Sequence, residues 1–228
     1  MNRLYEDYPN VVQALGGRIN TDLGDARREA AYHLSRLGQF ARSGRFLDLG
    51  CGRGDLLLAA RGRFEVYGVD ISPHLREEAR DVQMFVGRIE DAPFKDGFFD
   101  AAAAIEVIEH LFDPRRTMRK VNRILAPHGV VLLQTGDASS FPARLGLDRW
   151  MYLQPPVHLN FFSREGLARL LKFAGFRILR GWSFGRAPQR IRGLSRLSDS
   201  AVVRPILDFV AGRGLIGQVH IAIKAATL

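Results

Sequence analysis

Cysteine is almost missing from this chain of 228 residues: Cys51 stands alone, so no internal disulfide can form and a reducing compartment, the cytoplasm, is expected. No run of uncharged apolar residues approaches the roughly 18 needed to cross a bilayer as a helix. The opening residues, Met-Asn-Arg-Leu-Tyr-Glu-Asp, lack the apolar core of a signal peptide. Internal repeats and low-complexity tracts are missing too, which excludes solenoids and compositionally disordered segments. Acid is scarce. Against 33 Lys and Arg there are 24 Asp and Glu, a formal charge of +9. From Phe176 to Leu228, eight Arg and one Lys face only Asp199 and Asp208, a net of +7. Such asymmetry suits an acidic substrate, a nucleic acid or a membrane surface, or is simply a soluble basic face. What is present is ordinary for a globular chain, 46% hydrophobic and 25% charged residues. The length is enough to bury a core as one large domain.

Apolar residues at helical intervals (Ala26, Ala30, Ala31, Leu34, Leu37) predict a helix within Thr21–Phe40. Strands are expected at Arg45–Leu49, Phe64–Val69, Val82–Val86, Phe98–Ile105 and Val130–Gln134. Between them, Leu56–Gly62, Pro73–Arg80 and Arg115–Leu125 read as helices, the last ended by a turn at Pro127-His128-Gly129. A helix at Arg164–Ala174 stops at Gly175, followed by strands at Phe176–Trp182 and Gln218–Lys224. Alternation of this kind predicts parallel pairing in one open α/β domain, with a helical insertion between the last two strands.

The densest chemical signal is Asp48-Leu-Gly50-Cys51-Gly52-Arg-Gly54-Asp55. Glycines at a strand-to-helix junction let a ligand approach the backbone closely. A dinucleotide fingerprint would need glycine where Asp55 stands, and Asp48 would repel a pyrophosphate. A carboxylate there suits a cation, an amino-acid ammonium or a sulfonium. At the end of the second strand Asp70 can accept from both ribose hydroxyls, and Ile71 offers an apolar face to an adenine. The third strand leads into Gly87-Arg88-Ile89-Glu90-Asp91, an acidic turn suited to reading an adenine edge.

The segments Phe46–Gly54, Tyr67–Ser72, Gly87–Phe94 and Phe99–Leu111 resemble the successive motifs of class I S-adenosylmethionine-dependent methyltransferases. The resemblance implies an α/β, doubly wound, Rossmann-like fold with a seven-stranded, mostly parallel sheet whose last strand is antiparallel. It implies a single domain over residues 1–228, with an N-terminal helical lid (1–40), an acceptor-side loop (136–162) and a basic helical insertion (185–217). The implied cofactor is S-adenosyl-L-methionine. Asp48, Gly50, Cys51 and Gly52 would hold its methionine moiety, with Cys51 packing rather than reacting. Asp70 would take the ribose; Ile71, Ile89, Glu90 and Ile105 would border the adenine side. The family commonly has an acid where this chain has Arg88.

Glu106-Val-Ile-Glu109-His110 ends the fourth strand, and a second histidine, His158, precedes an aromatic pair and a Ser163-x-Glu165 helix start. Glu106, Glu109 and His110 share one face of a helical turn, a donor set for a divalent ion of the Mg, Mn or Zn class. Glu-x-x-Glu-His followed by such a histidine resembles ubiquinone-pathway O-methyltransferases and small-RNA 2′-O-methyltransferases. The resemblance makes Glu106, Glu109, His110 and His158 metal ligands for Mg or Mn beside an acceptor hydroxyl. Without an ion, His110 or His158 would act as general base. The remaining histidines, His33 among them, read as helix, turn and strand residues. Phe141, Trp150, Met151, Tyr152, Pro155 and Pro156 have the composition of an acceptor pocket, and Tyr5 and Tyr8 belong to the lid. The expected acceptor is a hydroxyl of a small or lipid-linked metabolite. Arg186, Arg190, Arg192 and Arg196 would admit an acidic or lipid-linked acceptor, touch a membrane peripherally or bind RNA. An RNA 2′-O-methyltransferase is the alternative, and a non-catalytic cofactor- or partner-binding protein a more remote one.

Overall fold

The computed structural model describes residues 23–71, 74–140, 143–144, 150, 152–184 and 217–225. Tyr5, Tyr8, Phe141, Met151 and the arginines of the basic insertion lie outside them. Seven strands form one sheet: β1 Arg45–Leu49, β2 Glu65–Asp70, β3 Gln83–Val86, β4 Phe99–Ile105, β5 Leu125–Gly136, β6 Phe176–Phe184 and β7 Gly217–Lys224. Their order is β3-β2-β1-β4-β5-β7-β6. Strands β1 to β5 pair in parallel, whereas β7 runs antiparallel to both β5 and β6. The sheet is therefore parallel except for its last strand. Strands covered on both faces read as apolar runs, and Val130–Leu133 of β5 is completely buried.

Among the described residues four α-helices cover the faces: α1 Leu23–Leu37, α2 Asp55–Ala60, α3 Pro114–Ile124 and α4 Arg164–Phe173. On one side Leu34, Leu37 and Leu57 pack with Phe46 and Val66. On the other, Met118, Val121 and Leu167 pack with Leu47 and Leu133. Local chemistry sets the helix ends. Asp113 accepts from the Arg116 N–H at 2.9 Å with Pro114 in the first turn, and Ser163 accepts from the Gly166 N–H at 3.0 Å. Gly175, at φ 85°, ends α4.

Two expectations about elements fail. Of the helix expected at Pro73–Arg80, the described residues 74–80 wind only at Glu77–Ala79, as a 3₁₀ turn. Arg76 stays extended because its guanidinium reaches Asp55 at 2.7 Å and its N–H bonds the Arg53 carbonyl, which ties this stretch to the glycine loop. The Pro127–Gly129 turn is absorbed into β5, whose pairing with β4 slips between Phe99 and Ala101 while His128 takes φ 64°.

The chain winds outward from β1 through β3, then returns to place β4 on the other side of β1. The carboxyl ends of β1 and β4 thus flank the topological switch point, where ligands of open α/β sheets bind. Leu49 lies level with Ala104, so the glycine loop and the Glu106 turn leave the sheet side by side.

Candidate active site

Gly50 and Gly52 both have positive φ, 68° and 47°, a region that glycine enters without strain. A side chain on Gly50 would strike Val107, while Gly52 faces open space. The Asp70 carboxylate accepts the Gly52 N–H at 2.8 Å, which fixes the loop to the end of β2. Beyond it, Ile71 and Val86 project from the ends of β2 and β3 and are exposed. Cys51 is buried over Gly68, and burial, then the charges of Asp48 and Asp70, pushes its thiol far above the range of a reactive thiolate.

A cleft of about 220 Å³ opens over the loop, between Asp48, Gly50, Cys51 and Ile105 on the sheet side and Glu29 and His33 of α1. The acids here are crowded. Asp48 is only 4% exposed, and burial, then Asp70, then Asp55, holds its carboxyl well above the usual range. A cation bound in the cleft would relieve that crowding. Open backbone, a ribose-type acid and a buried carboxylate short of positive charge fit S-adenosyl-L-methionine. The adenine side differs from expectation in detail. Ile89 is buried in the core, its carbonyl accepting the Ala92 N–H, and Glu90 turns inward to accept from the Thr117 hydroxyl, flanked by Arg88 at 3.7 Å.

At the end of β4, Glu109, His110 and His158 converge: one donor atom from each lies within 4.8 Å of the others. The imidazole centroids are 4.7 Å apart. The backbone holds them together, because the N–H groups of Leu159 and Asn160 both donate to the Glu109 carbonyl and the Asn160 amide donates to the Leu111 carbonyl. The Nδ1–H of His110 donates to the Val157 carbonyl and that of His158 to the Tyr152 carbonyl, so each lone pair sits on Nε2. Burial lowers both imidazoles, His110 to about 4, so they are neutral at pH 7.

Although it lies beside Glu109, Glu106 is not one of these three converging donors. With φ 54°, its carboxylate accepts from the Gln134 amide at 2.9 Å and the Tyr152 hydroxyl at 3.0 Å. Glu109 accepts from the Thr135 hydroxyl at 2.9 Å, yet its second oxygen is buried with no donor among the described residues. Burial first, then the neighbouring Glu106, pushes the Glu109 carboxyl well up. Gln134 and Thr135 were not anticipated as site residues, and Tyr152 was expected in the acceptor pocket but not as a donor to Glu106. The signal for the first two was there, a polar pair ending an apolar strand.

A parallel sheet reversing between β1 and β4, a glycine loop at the switch point and an acid ending β2 define a class I S-adenosylmethionine-dependent methyltransferase. Residues 23–180 match the methyltransferase domain family, and the chain belongs to it. Among its relatives, the O-methyltransferase cnsE of Penicillium expansum is 30% identical over 67% of this chain and 57% of its own length. The ubiquinone biosynthesis O-methyltransferase of Xanthomonas oryzae pv. oryzae is 36% identical over 40% of this chain and 42% of its own. The chain thus spans about half the length of these two enzymes. A S-adenosylmethionine-dependent methyltransferase structure from Archaeoglobus fulgidus shares the fold, with TM-score 0.66 and 18% identity over 95% of this chain and 99% of that one.

Proposed function

We propose that this methyltransferase transfers the methyl group to a hydroxyl of a small or lipid-linked acceptor at the Glu109–His110–His158 centre. The observation that carries the reading is the convergence of those three side chains beside the glycine loop. The names of two relatives, both O-methyltransferases, support it, as do the exposed Phe112, Leu159 and Phe161 next to the centre in sequence, which suit an apolar acceptor.

The triad fits a divalent cation. One buried carboxylate oxygen lacks a donor among the described residues, and two imidazoles point their lone pairs away from the carbonyls that orient them. Two nitrogens and one oxygen suit Mn or Zn better than Mg, which prefers oxygen ligands. A cation held there would lower the acceptor hydroxyl's pKa and orient it. The chain's own residues do the positioning: Asp70 fixes the glycine loop, and Tyr152 and Gln134 hold Glu106 next to Ile105 of the cofactor cleft. An imidazole titrating near 4 is a weak base at neutral pH, which favours ligation over proton abstraction for His110. The basic insertion, on which RNA or membrane contact was expected to rest, lies outside the described residues. Among the described residues no helix is long and apolar enough to cross a membrane.

The test is methyl transfer to a panel of phenols and catechols. Activity should vanish with chelator and return with manganese. His158→Ala should abolish turnover while S-adenosylhomocysteine binds as before. Chelator-resistant activity would leave His158 as a base, and normal turnover by His158→Ala would sink the reading.

A further inference from the structure

His33 lies on α1 in the wall of the cofactor cleft and is 3% exposed. Among the described residues neither ring nitrogen has a hydrogen-bond partner; a Glu29 carboxylate oxygen stands 3.9 Å from Nε2. Burying a polar ring without partners is costly, and such a group in a cleft points to something that binds there.

The cofactor's amino-acid tail has one ammonium and one carboxylate. The cleft offers acids for the ammonium: Glu29, Asp48 and Asp55. It offers little to the carboxylate. Four of the glycine-loop N–H groups are already spent, those of Gly50 and Cys51 on the Val69 carbonyl, that of Gly52 on Asp70 and that of Gly54 on the Cys51 carbonyl. Arg53 and Arg76 turn to Asp55, at 3.8 and 2.7 Å. Among the described residues lining the cleft, His33 is the one nitrogen-bearing side chain.

We propose that His33 donates a hydrogen bond to the carboxylate of the cofactor's amino-acid tail and so selects the complete tail over a truncated one. This rests on the cofactor reading of the cleft. It gives α1 a chemical role: the helix walls the cleft and supplies a side-chain donor to it.

Two ligands that differ only in the carboxylate test it, S-adenosylhomocysteine and its decarboxylated analogue, with affinities measured by calorimetry. Wild-type protein should prefer the complete tail by about 10- to 100-fold, the range of a charge-assisted hydrogen bond. His33→Leu should erase that preference by weakening S-adenosylhomocysteine alone, leaving the analogue within about twofold. His33→Gln, which keeps an N–H donor, should retain most of it. The melting temperature of ligand-free His33→Leu should not fall, since an unpaired buried ring has been replaced by an apolar group; a structural role predicts the reverse. Equal weakening of both ligands, or unchanged binding of S-adenosylhomocysteine, overturns the proposal. Wild-type protein that binds the two equally overturns it and leaves the cofactor reading intact, whereas wild-type protein that binds neither overturns both.

Discussion

Burial and the nearby charges of Asp70 and Asp55 hold the Asp48 carboxyl well above the usual carboxylate range. In the ligand-free protein it therefore keeps its proton at pH values where a free carboxyl has lost it. A cationic ammonium or sulfonium beside it favours the charged form and expels that proton. Binding of S-adenosylmethionine at a pH just above the usual carboxylate range should accordingly release protons, seen as a dependence of the calorimetric enthalpy on the buffer's heat of ionisation. Asp48→Asn should abolish the release, and buffer-independent enthalpies in wild type would refute it. Asp48, Asp70, Glu109, His110 and His158 were legible at this scale because each stands at a strand end or in a spaced motif. That Glu106 falls outside the converging donors was not legible. It depends on a left-handed backbone at Glu106 and on contacts from Gln134 and Tyr152, 28 and 46 residues away.

At the scale of elements, six strands and three helices lie within two residues of where apolar patterning put them, since burial dictates the pattern that was read. The failures share a cause. Around Pro73–Arg80 a tertiary ion pair to Asp55 overrides helical spacing, and at Pro127–Gly129 sheet pairing reclaims a turn. Neither partner is local in sequence. The end of β5 shows how tightly elements constrain each other: a methyl group added at Gly136 would lie 2.4 Å from the Tyr152 ring. Gly136→Ala must displace that ring, whose hydroxyl holds Glu106 and whose carbonyl orients His158. Overpacking of this kind costs about 1–3 kcal/mol, so urea unfolding should show a loss of that size. Turnover should fall further than cofactor affinity, because the ring supports the acceptor side. A variant as stable and active as wild type would show that the ring moves freely.

The whole molecule depends on β7, the one strand that runs against the rest and joins β5 to the edge strand β6. The sequence showed its alternation but could not show where in the sheet it inserts, because strand order is set by long-range pairing. Its buried His220 donates from Nε2 to the Gln218 side chain, which in turn donates to the Gly136 and Phe162 carbonyls. Nδ1 has no partner among the described residues. Burial, then the charge of Arg164, lowers this imidazole from 6.5 to about 4, with Asp137 opposing. The unfolded chain therefore binds a proton at this site between those two values when the folded chain does not. The resulting stability is complete above pH 6.5 and is lost as pH falls towards 4. Asp48 and Glu109, whose carboxyls are raised, act in the opposite sense, so the wild-type pH profile alone does not isolate the histidine. His220→Gln does, because glutamine keeps an N–H for Gln218 and does not titrate. Between about pH 7 and pH 5, wild type should lose about 2 kcal/mol more than the variant, at 1.36 kcal/mol per pKa unit. Urea unfolding of both proteins at the two pH values measures the difference. Parallel losses would mean that His220 takes up its proton without leaving the fold and that acid does not open the sheet at β7.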